Sequence, residues 1–100
     1  MLREARLKYS EDLYLSPSFP AIVGSGPNGA IIHYRPTLEN HAIVTDFETP
    51  ILIDTGGQYF DGTTDTTRTL VFDGEKVENN EKFKGIKEMY TRVLMGNLDL

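Results

Sequence analysis

The sequence of 100 residues contains no cysteine, which excludes disulfide bonds, thiolate metal sites and a cysteine nucleophile. It has no apolar run near the roughly 20 residues that a membrane-spanning helix needs, and residues 1–6 lack the apolar stretch of a signal peptide. Neither feature indicates an oxidising compartment, and we predict a cytoplasmic location. Basic residues are also scarce, since 10 lysines and arginines stand against 15 acidic residues. The net charge of -5 disfavours binding to nucleic-acid phosphates.

The length and composition are those of one globular domain or a part of one. Single domains usually have about 50 to 250 residues, and 39% of these residues are hydrophobic, which is near the globular average. Two independent cores are therefore excluded. Carboxylate oxygens are the metal ligands that this chain has in surplus.

The pattern of apolar residues and turn signals predicts an α+β chain. Residues 2–15 fit the end of a helix followed by extended chain. Apolar residues spaced by three and four from Phe83 to Leu94 predict an amphipathic helix, for which Asn79 and Asn80 are good N-caps. An Asp61-Gly62 turn signal separates the last two predicted strands. Four strands are predicted, at residues 21–23, 30–34, 51–53 and 63–72.

A glycine-rich loop at residues 24–29 matches the pattern G-x-G-x-x-G. A dinucleotide-binding loop of this type is followed directly by a helix, whose N-terminus holds the pyrophosphate. Here a strand is predicted next, and Pro27 lies inside the loop. The pattern therefore favours a glycine turn between two strands.

Asp54 directly follows the apolar run at residues 51–53 and begins an Asp-Thr-Gly triplet. This triplet is typical of aspartic proteases, and the chain length suits one subunit of the retroviral-type dimeric enzymes, in which two such carboxylates share a proton. Residues 94–97 also resemble the segment that supports the triplet in those enzymes. The triplet lies at mid-chain, however, and the charged residues 73–87 replace the expected strands. This interpretation remains an alternative.

Asp54 and Asp65 lie on two strands that are predicted to form a hairpin. Two carboxylates that face the same space form a hard-oxygen site for a divalent metal. A tight turn at residues 61–62 would set Asp54 opposite Thr69. Placing Asp54 opposite Asp65 requires a turn nearer residues 59–60, or a bulge at residues 56–57. The threonines at positions 63, 64, 66 and 67 would then hold the carboxylates through their hydroxyls.

Structural explanations compete with the metal hypothesis at each of these positions. Asp54 would be a turn aspartate bonded to backbone amides, and Asp65 a surface residue paired with Arg68. His33, at a predicted strand end, would be a hydrogen-bonded structural residue.

Three segments resemble one known family when they are taken together. They are residues 18–20 (SFP), 26–36 (GPNGAIIHYRP) and 53–69 (IDTGGQYFDGTTDTTRT). In this order they are similar to the Xaa-Pro aminopeptidases, which belong to the pita-bread metallopeptidases. The resemblance covers most of residues 16–72, and residues 54–69 are its most specific part. It implies an α+β, partial pita-bread fold in which a hairpin of antiparallel strands carries Asp54 and Asp65 and is packed by flanking helices.

The resemblance also implies a reaction and a site. The family hydrolyses the bond between an N-terminal residue and a following proline, so the expected partners are peptides with proline in second position. Asp54 and Asp65 match positions that ligate two divalent ions, with manganese expected and zinc or cobalt as alternatives. His33 matches a position that contacts substrate and assists proton transfer. A homodimer is left open for the full-length protein.

The family site needs one more histidine and two glutamates, and this chain ends before any of them. We therefore expect residues 1–100 to be the N-terminal portion of an incomplete catalytic domain, inactive alone because two carboxylates do not hold two ions firmly. A non-catalytic pita-bread binding module is a further alternative, against which the retention of Asp54, Asp65 and His33 argues.

Overall fold

The computed structural model describes residues 1–41, 49–72 and 80–100 as two helices and two small antiparallel sheets. This confirms the predicted α+β class. The chain begins with helix α1 (Leu2–Ser10) and a short 3-10 helix (Glu11–Leu13), and a second 3-10 helix (Gly26–Ala30) follows the second strand. Helix α2 (Glu81–Leu98) ends the described chain. The strands are β1 (Tyr14–Pro17), β2 (Ile22–Ser25), β3 (Ile51–Thr55), β4 (Gly57–Tyr59), β5 (Gly62–Thr63) and β6 (Thr66–Leu70).

The two sheets share one long hairpin that runs from β3 to β6. One sheet has the order β1-β4-β5 and the other the order β2-β3-β6. Asp54 on β3 pairs with Thr67 on β6, and Gln58 on β4 pairs with Thr63 on β5. Both pairs belong to the same register, so no residue is inserted where the hairpin passes from one sheet to the other. A bulge at Gly56 and Gly57, one of the two ways to place Asp54 opposite Asp65, is therefore not formed, because the ladder is interrupted there without a shift.

The hairpin passes from one sheet to the other at residues 56–57 and 64–65, which we call the crossing. Hydrogen bonds from three chain segments hold it. The Gly57 amide donates to Thr64 Oγ1 at 2.9 Å, and the Thr64 amide donates to the Gly57 carbonyl at 2.8 Å. Ser18 donates through its amide to the Gly56 carbonyl at 3.2 Å and through its hydroxyl to the Thr64 carbonyl at 2.9 Å. The polar backbone that the ladder leaves unpaired is thus satisfied by a threonine and a serine.

The predicted strand at residues 30–34 is wrong. The 3-10 helix extends to Ala30, and a turn follows in which the Tyr34 amide donates to the Ile31 carbonyl at 3.2 Å. Ile31 and Ile32 are exposed while Tyr34 is buried. A β-branched and aromatic run forms a strand only where a neighbouring strand pairs with it, and β2 pairs with β3 here.

Helix α1 is connected to β3 through Arg6. Its Nη2 donates to Thr55 Oγ1 at 3.0 Å, and its guanidinium carbon lies 5.9 Å from the centre of the Tyr14 ring. Tyr14 is buried and meets Tyr59 edge-on, with ring centres 5.5 Å apart. These contacts join α1 to both sheets.

Replacing Arg6 by alanine should lower the free energy of unfolding by about 1 kcal/mol, because a half-buried hydrogen bond and a cation–π contact are lost. Urea unfolding checks this, with Arg3→Ala on the exposed side of the same helix expected to change the value by less than about 0.5 kcal/mol. A double-mutant cycle with Thr55→Val should give a coupling of about 0.5–1 kcal/mol. If the changes in unfolding free energy of the two single variants add exactly in the double variant, the two side chains do not interact.

The predicted C-terminal helix is confirmed, and most of its apolar face is exposed. Phe83 is 3% exposed, but Met89 and Val93 are 70% and 75% exposed. The buried hydrophobic side chains of the described residues are Tyr14, Ile22, Tyr34, Ile51 and Phe83. None of the helices in these ranges is both long and apolar enough to cross a bilayer.

Candidate functional site

A pocket of about 260 Å³ lies against one face of the β2-β3-β6 sheet. The sheet contributes side chains from all three of its strands, and the turn after the second 3-10 helix covers them. Because alternate residues of a strand face the same side, Leu52 and Asp54 lie together on this face. The lining residues are Ile22, Gly29, Ala30, Ile31, Ile32, His33, Leu52, Asp54 and Thr67.

Asp54 is the charged residue of the pocket floor. It sits on the central strand of its sheet, between Ile22 of β2 and Thr67 of β6. Its Oδ1 atom is buried and has no hydrogen-bond partner among the residues that the structure describes. Leaving such an atom unsatisfied costs about 1–3 kcal/mol, or more for a charged group. A carboxylate oxygen that is desolvated and unpartnered fits a hard cation as its missing partner.

His33 lines the same pocket, together with the residues of the turn that precedes it. It is exposed and adopts a φ of 55°, the one positive value that a non-glycine residue has in the described ranges. The structure therefore brings together two residues that lie 21 positions apart in the sequence. An imidazole that shares a pocket with a carboxylate is placed to exchange a proton with a molecule bound there.

Asp65 is exposed, directly precedes β6 and does not line the pocket. It lies two residues before Thr67, the partner of Asp54, so neither of the two registers considered, with Asp54 opposite Asp65 or opposite Thr69, is the one observed.

The threonines near Asp65 have different roles. Thr63 donates its hydroxyl to Gln58 Oε1 at 2.7 Å, and Thr64 holds the crossing between the sheets. Of the four threonines that were expected to support the carboxylates, Thr67 is the one that lines the pocket.

The described ranges contain few side chains that could bind a metal ion together. No group of three or more histidine, aspartate and glutamate side chains is clustered there. Glu81 and Glu88 are exposed on α2, where they pair with Lys84 and Arg92. Within those ranges, His33, Asp54 and Asp65 therefore do not form a three-ligand metal cluster.

The sequence prediction missed Asn28 and Tyr34. The amide of Asn28 bonds the Tyr34 hydroxyl, and both side chains bond the carbonyl of Asn40. A buried tyrosine directly after a candidate histidine was the available signal, but the strand prediction assigned it to a pleated face instead.

Comparison with known proteins identifies relatives of the whole segment. The sequence model of metallopeptidase family M24 matches residues 1–100. Xaa-Pro aminopeptidase ApepP of Drosophila melanogaster is 49% identical over 89 residues, which are 89% of this chain and 13% of the relative. Xaa-Pro aminopeptidase 2 of Mus musculus is 46% identical over 94 residues, or 94% of this chain and 13% of the relative.

A fungal relative matches across nearly the full segment. The probable Xaa-Pro aminopeptidase P of Arthroderma benhamiae is 46% identical over 99 residues, or 99% of this chain and 13% of its own length. The chain thus spans about an eighth of these curated relatives. The match favours a metallopeptidase over the aspartic-protease alternative.

Proposed function

Since the chain belongs to metallopeptidase family M24, we propose that residues 1–100 form the N-terminal portion of the catalytic domain of a metal-dependent aminopeptidase. Its substrates are peptides with proline in second position, from which it removes the N-terminal residue. The observation that carries this proposal is the buried, unpartnered Oδ1 of Asp54 in the pocket that His33 also lines.

Asp54 and Asp65 are the residues that would hold the divalent ions. Oxygen ligands suit manganese well, with zinc or cobalt as alternatives, and two ions are expected. When bound, such ions would lower the pKa of a water molecule and polarise the scissile carbonyl. Asp54 contributes a ligand atom that is already desolvated, on the central strand of its sheet. Asp65 contributes one from the chain between β5 and β6, next to the crossing that Thr64 and Ser18 hold.

His33 would contact the substrate and assist proton transfer. It lines the pocket together with Asp54, so a peptide bound in the pocket would contact both residues. The apolar side chains of Ile22, Ile31 and Leu52 line the same space and would exclude water from a bound side chain.

The isolated 100-residue chain should bind manganese weakly and show no peptidase activity. The described ranges hold too few clustered ligands to fix two ions against water. Calorimetric titration with Mn²⁺ should give a Kd no tighter than about millimolar, and an Xaa-Pro peptide should remain intact.

The full-length protein that carries this segment provides the matched comparison. It should release the N-terminal residue from an Xaa-Pro peptide, and chelation should stop it. Tight binding with turnover by the isolated chain would refute the expected need for further ligands. A full-length protein that is inactive with every divalent ion, and lacks a downstream histidine and two glutamates, would favour a non-catalytic binding module instead.

A further inference from the structure

The backbone of His33 is held in a conformation that histidine seldom adopts. Its φ of 55° lies in the left-handed region, which is sterically unfavourable for a residue with a side chain. Such a conformation persists only where surrounding contacts determine it. The bond from the Tyr34 amide to the Ile31 carbonyl closes a turn around His33 at 3.2 Å, but one backbone bond is weak support for a strained residue.

The residue after His33 supplies the stronger support. Tyr34 is 4% exposed, and its hydroxyl donates to the Asn40 carbonyl at 2.9 Å. The same hydroxyl accepts a hydrogen bond from Asn28 Nδ2 at 3.1 Å, and Nδ2 also donates to the Asn40 carbonyl at 3.0 Å. Three groups therefore form a closed triangle of hydrogen bonds, and His33 lies inside the loop that it closes.

The shared acceptor of this triangle is itself fixed. Asn40 Oδ1 accepts from the Thr37 amide at 2.6 Å, and the Asn40 amide donates to Thr37 Oγ1 at 3.2 Å. These reciprocal bonds form a compact turn of the kind that asparagine and threonine favour. The carbonyl of Asn40 is thus presented by an ordered turn, although the turn itself is exposed.

The N-terminal end of the loop, at Asn28, packs against the sheet that carries Asp54. A Cβ added at Gly24 of β2 would lie 2.7 Å from the carbonyl oxygen of Asn28, so the 3-10 helix lies directly against that strand. Strand β2 in turn pairs with β3, where Ile22 is opposite Asp54. The triangle is therefore connected to Asp54 through three packed backbone segments, which are the 3-10 helix, β2 and β3.

We propose that Asn28 and Tyr34 are positioning residues for His33, and that their hydrogen bonds to the Asn40 carbonyl hold its imidazole in the lining of the pocket that Asp54 shares. The assignment of a reaction to His33 rests on the function proposed above. The hydrogen-bonded positioning itself does not, since it can be observed without turnover.

The test uses Tyr34→Phe in the full-length protein, which removes one hydroxyl and keeps the buried ring. Its matched control is Tyr9→Phe, the same change at a side chain that is 81% exposed. With an Xaa-Pro peptide, Tyr34→Phe should lower kcat about tenfold with KM changed less than threefold, since a displaced catalytic group costs about 10- to 100-fold. The control should stay within twofold of the wild type for both constants.

The second readout is the imidazole NMR signal of His33 in protein labelled with ¹³C-histidine, identified by its loss in His33→Gln. One sharp signal is expected in the wild type and in Tyr9→Phe, and a displaced or broadened one in Tyr34→Phe. Asn28→Ala should displace the same signal, with Asn97→Ala on the exposed face of α2 as its control.

An unchanged His33 signal in both Tyr34→Phe and Asn28→Ala would overturn the proposal. If Tyr34→Phe does not fold, the His33 signal in Asn28→Ala decides whether the proposal holds, and an unchanged signal there overturns it. A wild-type protein that cleaves no Xaa-Pro peptide would refute the proposed function, and the NMR signals would still decide whether Asn28 and Tyr34 position His33.

Discussion

Replacing Asp54 by asparagine should lower kcat/KM at least about a thousandfold without destabilising the metal-free protein. The loss corresponds to roughly 4 kcal/mol of transition-state stabilisation, the several kcal/mol that a correctly ligated ion supplies. The unchanged stability follows from the environment of the side chain. Its Oδ1 is buried with no hydrogen-bond partner, so the fold gains nothing from that atom, and removing the charge reduces a desolvation cost.

The measurement combines peptidase assays with thermal unfolding of the full-length protein, with and without Mn²⁺. Manganese should raise the Tm of the wild type, because a ligand that binds only the folded state stabilises it, and should raise that of Asp54→Asn much less. Asp61→Asn, the same change at an exposed residue of the hairpin turn, is the control. A metal-free Asp54→Asn protein that unfolds several degrees below the wild type would show that Asp54 has a structural role instead.

Replacing Gly56 by alanine should cause the largest loss of stability, about 3 kcal/mol or more. A Cβ at this position would collide with the Thr64 carbonyl oxygen and the Ser18 hydroxyl, which are themselves hydrogen-bonded to each other. Neither can withdraw without breaking the bonds that hold the crossing between the sheets. Because Gly56 lies two residues beyond Asp54, and Thr64 directly precedes Asp65, the strain should also separate the two candidate ligands and lower activity.

Urea unfolding of the full-length protein measures the effect. The matched control is Gly85→Ala, since a Cβ there would meet nothing within 4 Å. Gly85 lies inside α2, so this change should raise stability by about 0.5–1 kcal/mol. A Gly56→Ala protein within about 0.5 kcal/mol of the wild type would contradict the close packing that the structure shows at the crossing.

Local sequence patterns were sufficient to predict several of the helices and strands. The apolar spacing from Phe83 to Leu94 predicted α2, and the run at residues 51–53 predicted β3, because both patterns report which side of an element is apolar. They were insufficient for residues 30–34, whose β-branched and aromatic composition suits a strand. The same composition fits a turn when one side chain, Tyr34, is buried and hydrogen-bonded.

The register of the central hairpin shows a second limit. Turn signals placed Asp54 opposite either Thr69 or Asp65, and the structure pairs it with Thr67. The exact pairing depends on a turn at residues 60–61 and on the break at Gly56, which no single turn motif specifies. Register is determined when the whole hairpin packs against its neighbouring strands.

The sequence by itself determined the α+β class, the family to which the chain is similar and the three candidate residues His33, Asp54 and Asp65. The absence of cysteine had already excluded thiolate sites. The excess of acidic residues left carboxylates as the available metal ligands. Only the tertiary structure placed His33 and Asp54 in the lining of one pocket and left Asp65 exposed outside that lining. It also assigned Asn28 and Tyr34 to a hydrogen-bonded triangle around His33. The physical reason is that residue types and spacing specify chemistry and local conformation, whereas burial and hydrogen-bond partners depend on which segments meet.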